Sequence, residues 1–401
     1  MTMRRRDNGI SGRFGRAVRW VWALLMTVGC GWANAEDVAA TSTLTADGFA
    51  VPRPGIRFEF PRDHGSHPEF GIEWWYLTGH LESAQGRRWG YQATFFRRAA
   101  PRTSPEAAVA TSASFGTGQV FLAHMALLEV STGRFVHQER LNREGWDAGA
   151  STNRLEVRNG NWWLRQEDPA SAGAGPVLRL SGGIRAEAAF GLTLVPAKPL
   201  VVFGTNGVSR KAAEPTAASH YLTFTRLKTT GELVQDGVRH EVTGETWMDH
   251  EFSSSQLGAG QVGWDWACLQ LADGREVMAY RMRRTDGSTD PFSTLAWIDR
   301  EGTVHQVGAE QFRWEAVGTW RSPGTGAEYP AGVRLTTRDP GTGQEVVFLV
   351  EPLVANQELT GAIGGIPYWE GACRVRDGEG REVGRAFLEM TGYAATMQGK
   401  L

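Results

Sequence analysis

Trp74-Trp75-Tyr76-Leu77-Thr78-Gly79-His80-Leu81, followed by Gly86-Arg87 and a run to Arg98, has an echo later in the chain. The echo is Trp264-Asp265-Trp266-Ala267-Cys268-Leu269-Gln270-Leu271, followed by Gly274-Arg275 and a run to Arg284. The offset is 190 residues before the turn and 188 after it, so the second copy has lost two turn residues. Each run alternates. Trp89, Tyr91, Ala93 and Phe95 share one face, with Gly90, Gln92 and Thr94 on the other, because successive side chains of a strand point to opposite faces. A hairpin repeated half a chain away implies two copies of one β domain.

Working outward, the turn signals continue. Asn159-Gly160, Asp236-Gly237, Asp273-Gly274, Asp286-Gly287 and Asp377-Gly378 punctuate short apolar runs, and such pairs tolerate the positive φ that tight hairpins need. Val120, Leu122, His124, Ala126 and Leu128 share a face of another run, from Gln119 to Val130. Helical periodicity is absent beyond the first residues. The stretches Ala99 to Ser114 and Asp168 to Gly175 read as long loops. Meandering antiparallel strands close most readily into up-and-down barrels, which have no free edges and can hold one apolar ligand. The expected fold is all-β: two lipocalin-like antiparallel barrels in tandem, spanning 51–245 and 246–395.

The chain has 401 residues, a net charge of −2, 16 Trp, 18 Phe and 50 Gly. That balance gives no electrostatic footprint for nucleic acid or an anionic membrane surface. Residues 1–35 read as a secretory signal. Arg4, Arg5, Arg6, Arg13, Arg16 and Arg19 precede or flank the apolar run Trp20 to Val28, and Ala33-Asn34-Ala35 offers a cleavage site. The mature protein is therefore expected to be exported, periplasmic or secreted, with no later apolar run long enough for a membrane helix. Lipid attachment at Cys30 is the alternative, though Thr27 stands where a lipobox prefers Leu. Cys268 and Cys373 remain after cleavage; they could pair in an oxidising compartment or stay as lone buried thiols.

Polar groups gather among aromatics in three places. Phe60-Pro61-Arg62-Asp63-His64-Gly65-Ser66-His67-Pro68 runs on to Glu73-Trp74-Trp75-Tyr76; His124 is a lone imidazole in an apolar strand; Trp247-Met248-Asp249-His250-Glu251-Phe252 precedes Trp264-Asp265-Trp266. Alternation places Asp249 and Glu251 on one face, His250 and Phe252 on the other. There is no Gly-x-Ser-x-Gly elbow for a serine hydrolase. His64-x-x-His67 with His124 and His250 is a poor metal pattern, unsupported by any helical ligand spacing, and neither metal nor cofactor is expected.

Phe60 to Tyr76, Trp247 to Ser254, Gly263 to Trp266 and Leu388-Glu389-Met390-Thr391-Gly392-Tyr393 together resemble the carotenoid 1,2-hydratase-like family, also called AttH-like, over nearly the whole mature chain. The resemblance implies two lipocalin-like barrels and, for the true hydratases, cofactor-free addition of water to the terminal double bond of acyclic carotenoids. Their essential His and aromatic residue correspond to His250 and Phe252. A further Tyr falls near Tyr280, whereas the Asp expected beside it is missing, with Met282 between Arg281 and Arg283.

Such chemistry needs an acid, cation-facing rings and a placed water. A carboxylic acid in an apolar pocket stays protonated, and aromatic faces stabilise a carbocation. Asp249, Glu251, Asp265 and Glu73 are the candidate acids, His250 and His64 the candidate bases. Trp74, Trp75, Tyr76, His124, Phe252, Trp264, Trp266 and Tyr280 are the candidate ligand-binding residues. The expectation is a hydrophobic, isoprenoid or lipid-like ligand, acted on by a hydratase or hydrolase. A non-catalytic carrier and a Trp-lined carbohydrate-binding module are the alternatives.

Overall fold

The computed structural model describes residues 43–102, 118–168, 175–363 and 366–399. The expected signal segment and Cys30 lie outside them, as do most of the two long loops. The described chain is all-β apart from two single 3-10 turns, Arg62–His64 and Ala309–Gln311.

Two antiparallel sheets of thirteen and ten strands make the two lipocalin-like barrels. In the first, Gln119–Glu129, Arg88–Ala99, Ile72–Ser83, Val238–Ser255 and Ala218–Gln235 lie side by side in that order. In the second, Thr294–Ile298, Glu276–Arg284, Gln261–Leu271, Glu382–Thr391 and Tyr368–Asp377 repeat the arrangement. The first sheet curls until its ends meet, Asn142 donating to Asn159 at 2.6 Å and Asn159 to the Phe121 carbonyl at 3.0 Å. Asp236 and Gly237 adopt φ of 51° and 78°, which closes the Ala218–Gln235 and Val238–Ser255 strands in a two-residue turn. The boundary read at 245/246 falls within Val238–Ser255, which belongs wholly to the first sheet; the sheet changes between Ser255 and Gln261.

Both barrel centres are filled. Trp75, Trp89, Tyr91, Phe95, Phe121 and Trp162 pack the first, and Leu269, Trp297, Tyr329, Leu335, Phe348 and Trp369 the second. A third apolar cluster, with Tyr76, Tyr221, Trp247, Trp266, Met278 and Phe387, joins the barrels. Strands of this seam are therefore buried on both faces. At Gly90 the approach is so close that a Cβ would lie 2.4 Å from the Ala372 Cβ. Cys268 and Cys373 are buried free thiols.

The halves meet through matching contacts. Thr78 and Cys268, equivalent in the repeat, lie 3.9 Å apart. His80 Nε2 lies 3.0 Å from the Ala386 carbonyl, while Gln270, its equivalent, donates to the Thr246 carbonyl at 3.4 Å. Self-contact of equivalent residues and reciprocal bonds are what an approximate two-fold axis produces.

Candidate active site

Among the described residues, bulky side chains pack both barrel centres, where the sequence led us to expect ligand space. Instead a cavity of about 500 Å³ lies between the two sheets, within the usual size of a small-molecule site. Its rings include Trp74, Tyr76, Phe96, Trp264, Trp266 and Tyr280, and its charged residues include Asp249, Glu251, Glu389 and Lys211, with Arg97 and Arg98 also in the lining.

Asp249 and Glu251 face this cavity because the Val238–Ser255 strand turns alternate residues toward the second sheet. Tyr221 donates to Asp249 Oδ2 at 2.7 Å; Thr223 and the Trp247 indole donate to Oδ1, each at 2.7 Å. The Trp266 indole in turn donates to the Tyr221 hydroxyl at 3.0 Å. Burial nevertheless dominates and pushes the Asp249 carboxyl up to about 7. Glu389 is pushed up to about 7 as well, by burial first, against a 3.2 Å bond from the Trp264 indole and with repulsion from Glu251 and Asp249. Deeper in the seam, burial and then Glu389 raise the Glu370 carboxyl well above its ordinary range, where it accepts from the Tyr76 hydroxyl at 2.6 Å.

Glu251 is answered by a cation. Lys211 Nζ lies 3.3 Å from Glu251 Oε2, and 4.2 and 4.8 Å from the centroids of the Tyr280 and Tyr221 rings. Burial pulls the Lys211 ammonium down, but Glu251 and its other neighbours hold it above its ordinary value. Ser219 also donates to Glu251. The site thus carries one neutralised ion pair and two carboxyls poised near neutrality. Such a pair can give a proton from one member and take one at the other.

His124 also lines the cavity; the remaining candidates lie elsewhere. His64, Trp75, His250 and Phe252 are on the opposite side of the same strands, around the buried Glu73. Glu73 Oε1 is 3.0 Å from His67 Nδ1 and 3.0 Å from His250 Nε2; Oε2 accepts from Arg97 at 2.9 Å and Ser66 at 2.7 Å. Trp75 stacks on His250 with centroids 4.9 Å apart, and Phe252 on His67 at 3.6 Å. Burial alone would raise Glu73, yet His250, His67 and Arg97 hold it well below the carboxylate range. A carboxylate so held gives up no proton, so Glu73 is unsuited to the acid's part. Burial, first, also brings the His64 ring down to about 3. His67, Glu73 and His250 bring ligand-type atoms within 4.8 Å of one another, but Glu73 Oε1 is already hydrogen-bonded to both imidazoles. Asp265 points into the second barrel, 3.1 Å from Arg283 and 3.4 Å from Arg281, and accepts from Tyr393 at 3.0 Å.

The AttH-like sequence profile matches residues 51–393. The chain belongs to the AttH-like family. A solved structure from Nitrosomonas europaea assigned as an AttH shares 33% identity, with a TM-score of 0.74, over 86% of this chain and 100% of that one. Kievitone hydratase from Nectria haematococca has the same fold at 14% identity, with a TM-score of 0.60, over 88% of this chain and 97% of that one. So does CghA solved with Sch210972, at 14% identity and a TM-score of 0.52, over 88% and 98%. No curated protein matches the chain.

In this AttH-like protein the strand registers make residues of the two halves equivalent. Asp249 pairs with Tyr76, and Glu389 with Trp266. Tyr221 pairs with Glu251, and Tyr368 with Thr391. Glu389, quoted only as part of the family resemblance, and Lys211, Tyr221 and Tyr368 were not among the expected site residues. The repeat carries a signal for the first: Phe387-Leu388-Glu389 stands where Trp247-Met248-Asp249 stands in the other half. Lys211 sits in an irregular segment whose sequence carries no such signal.

Proposed function

We propose that this AttH-like protein binds an apolar alkene between its barrels and adds water to it without a cofactor. Asp249 carries the reading: a carboxyl with a pKa of about 7 in an aromatic-walled cavity, with three donors already placed for the carboxylate it becomes. Its proton goes to one alkene carbon, leaving a carbocation that faces Trp74, Trp266 and Tyr280. Water bonds to the cation and loses a proton to Glu389, or back to Asp249, so that one water is gained in all. Kievitone hydratase, a hydratase by name, supports this through shared fold. We further place the protein outside the cytoplasm, on the strength of its first 35 residues; N-terminal sequencing of the cellular protein tests this and should read from Glu36.

The activity test uses acyclic isoprenoid alkenes in isotopically heavy water, with mass spectrometry of the products. Heavy oxygen should enter the product, and Asp249→Asn should lower the yield by about a hundredfold or more without expelling bound alkene. Alkenes that bind and emerge unchanged would leave a carrier instead.

A further inference from the structure

The cavity wall holds a cation whose hydrogens are not all used. Lys211 follows the Ser209–Arg210 strand and is buried. Its backbone is held from two sides: the amide donates to the Ala217 carbonyl at 2.8 Å, and the carbonyl accepts from Gln261 Nε2 at 2.8 Å. The ammonium touches Glu251, Tyr280 and Tyr221, and all three line the cavity together with Lys211 itself. The charge therefore sits in the wall of the cavity and not behind it.

An ammonium has three hydrogens to give. One is directed at Glu251 Oε2, 3.3 Å away, the only oxygen partner of Nζ among the described residues. The Tyr280 and Tyr221 rings offer their faces, with centroids at 4.2 and 4.8 Å, which attract the charge but supply no oxygen lone pair. Hydrogens remain for a guest.

Charge decides which guest atom suits them. Glu251 already neutralises Lys211, and Asp249 and Glu389 line the same space. A carboxylate or phosphate head would add a negative charge among these acids and would shed its water to enter. A carbonyl oxygen needs a donor and brings no charge. The acid is close by: Asp249 precedes Glu251 by two residues on one strand, about 7 Å. Tyr221 spans that interval, its ring beside Nζ and its hydroxyl on Asp249 Oδ2 at 2.7 Å.

We propose that Lys211 is a specificity-determining residue, whose ammonium receives a neutral carbonyl oxygen of the ligand and so sets which alkene carbon meets Asp249. The ligand is then a mainly apolar molecule whose carbonyl and reacting alkene are separated by about the 7 Å of strand between Glu251 and Asp249. This rests on the reading of the cavity as an alkene site.

Three acyclic isoprenoids of one skeleton test this: the hydrocarbon, the methyl ketone and the carboxylate. Each is titrated into the full chain while tryptophan fluorescence is followed. The ketone should bind about tenfold tighter than the hydrocarbon, and the carboxylate no tighter than the hydrocarbon. The double variant Lys211→Met with Glu251→Gln removes the ion pair without stranding a buried charge. It should bring the ketone preference to about one and leave the hydrocarbon's affinity in place. In the wild type the infrared carbonyl band of bound ketone should also lie below its position in hexane, a readout that needs no variant. Equal affinities of ketone and hydrocarbon, an unshifted band, or a preference that survives the double variant would each overturn the proposal and leave the cavity reading intact. Tightest binding by the carboxylate would overturn it too, since the head would then be an anion. Binding of none of the three removes the cavity reading and this proposal together.

Discussion

Asp249 and Glu389 hold the same position in the two halves of the molecule, one opposite Tyr76 and the other opposite Trp266, and burial brings both carboxyls to about 7. Two equivalent strands thus aim two equivalent acids at one space.

That pair sets a pH dependence of stability. Each folded carboxyl lies above its unfolded value near 4, so between about pH 4 and 7 the folded state binds more protons than the unfolded chain. Stability from these groups is therefore full below pH 4 and is lost as pH rises through 7. Thermal unfolding should occur a few degrees lower at pH 8 than at pH 5. Asp249→Asn and Glu389→Gln should flatten the slope; a slope unchanged in both variants would show that other groups set it.

Glu73 should behave in the opposite way. Glu73→Gln removes the carboxylate that answers Arg97 in the interior, and breaking a buried pair typically costs about 3–5 kcal/mol. Urea titration should show a clearly lower midpoint, whereas Asp249→Asn at pH 8 should show little loss.

Gly90 tests the seam. Gly90→Val drives a side chain into Ala372 and should cost about 1–3 kcal/mol, with a matching loss of apolar-probe binding. Gly191→Ala, where a Cβ meets nothing within 4 Å, is the control; equal losses in both would rule out a role for the close approach.

The thiols should report on unfolding. Burial, first, pushes Cys268 and Cys373 well above the ordinary thiol range, and a buried, protonated thiol reacts slowly. A thiol reagent should modify neither in the native protein and both in urea.

The fold was legible because the hairpin from Trp74 is repeated at Trp264 and its residues alternate. The same alternation separated Asp249 and Glu251 from His250 and Phe252 correctly. It did not tell which set faces the cavity between the sheets. In Ile72–Ser83 both faces are buried, so polarity no longer distinguishes a barrel interior from a seam between barrels. That is why Glu73 and His250 looked as suitable as Asp249. Lys211 and Tyr221 reach the site from segments far from Asp249 in the chain, and only the folded sheet brings them beside it.

For the ligand proposed above, the approximate two-fold would also govern how it lies. A perfectly symmetric groove would accept an elongated molecule in either of two reversed poses with equal ease. Here Thr294 stands where His124 stands in the other half, opposite Tyr280 as His124 is opposite Thr94, and Glu370 stands where Thr223 does. Divergence at these paired positions abolishes the degeneracy, so the groove has a head and a tail.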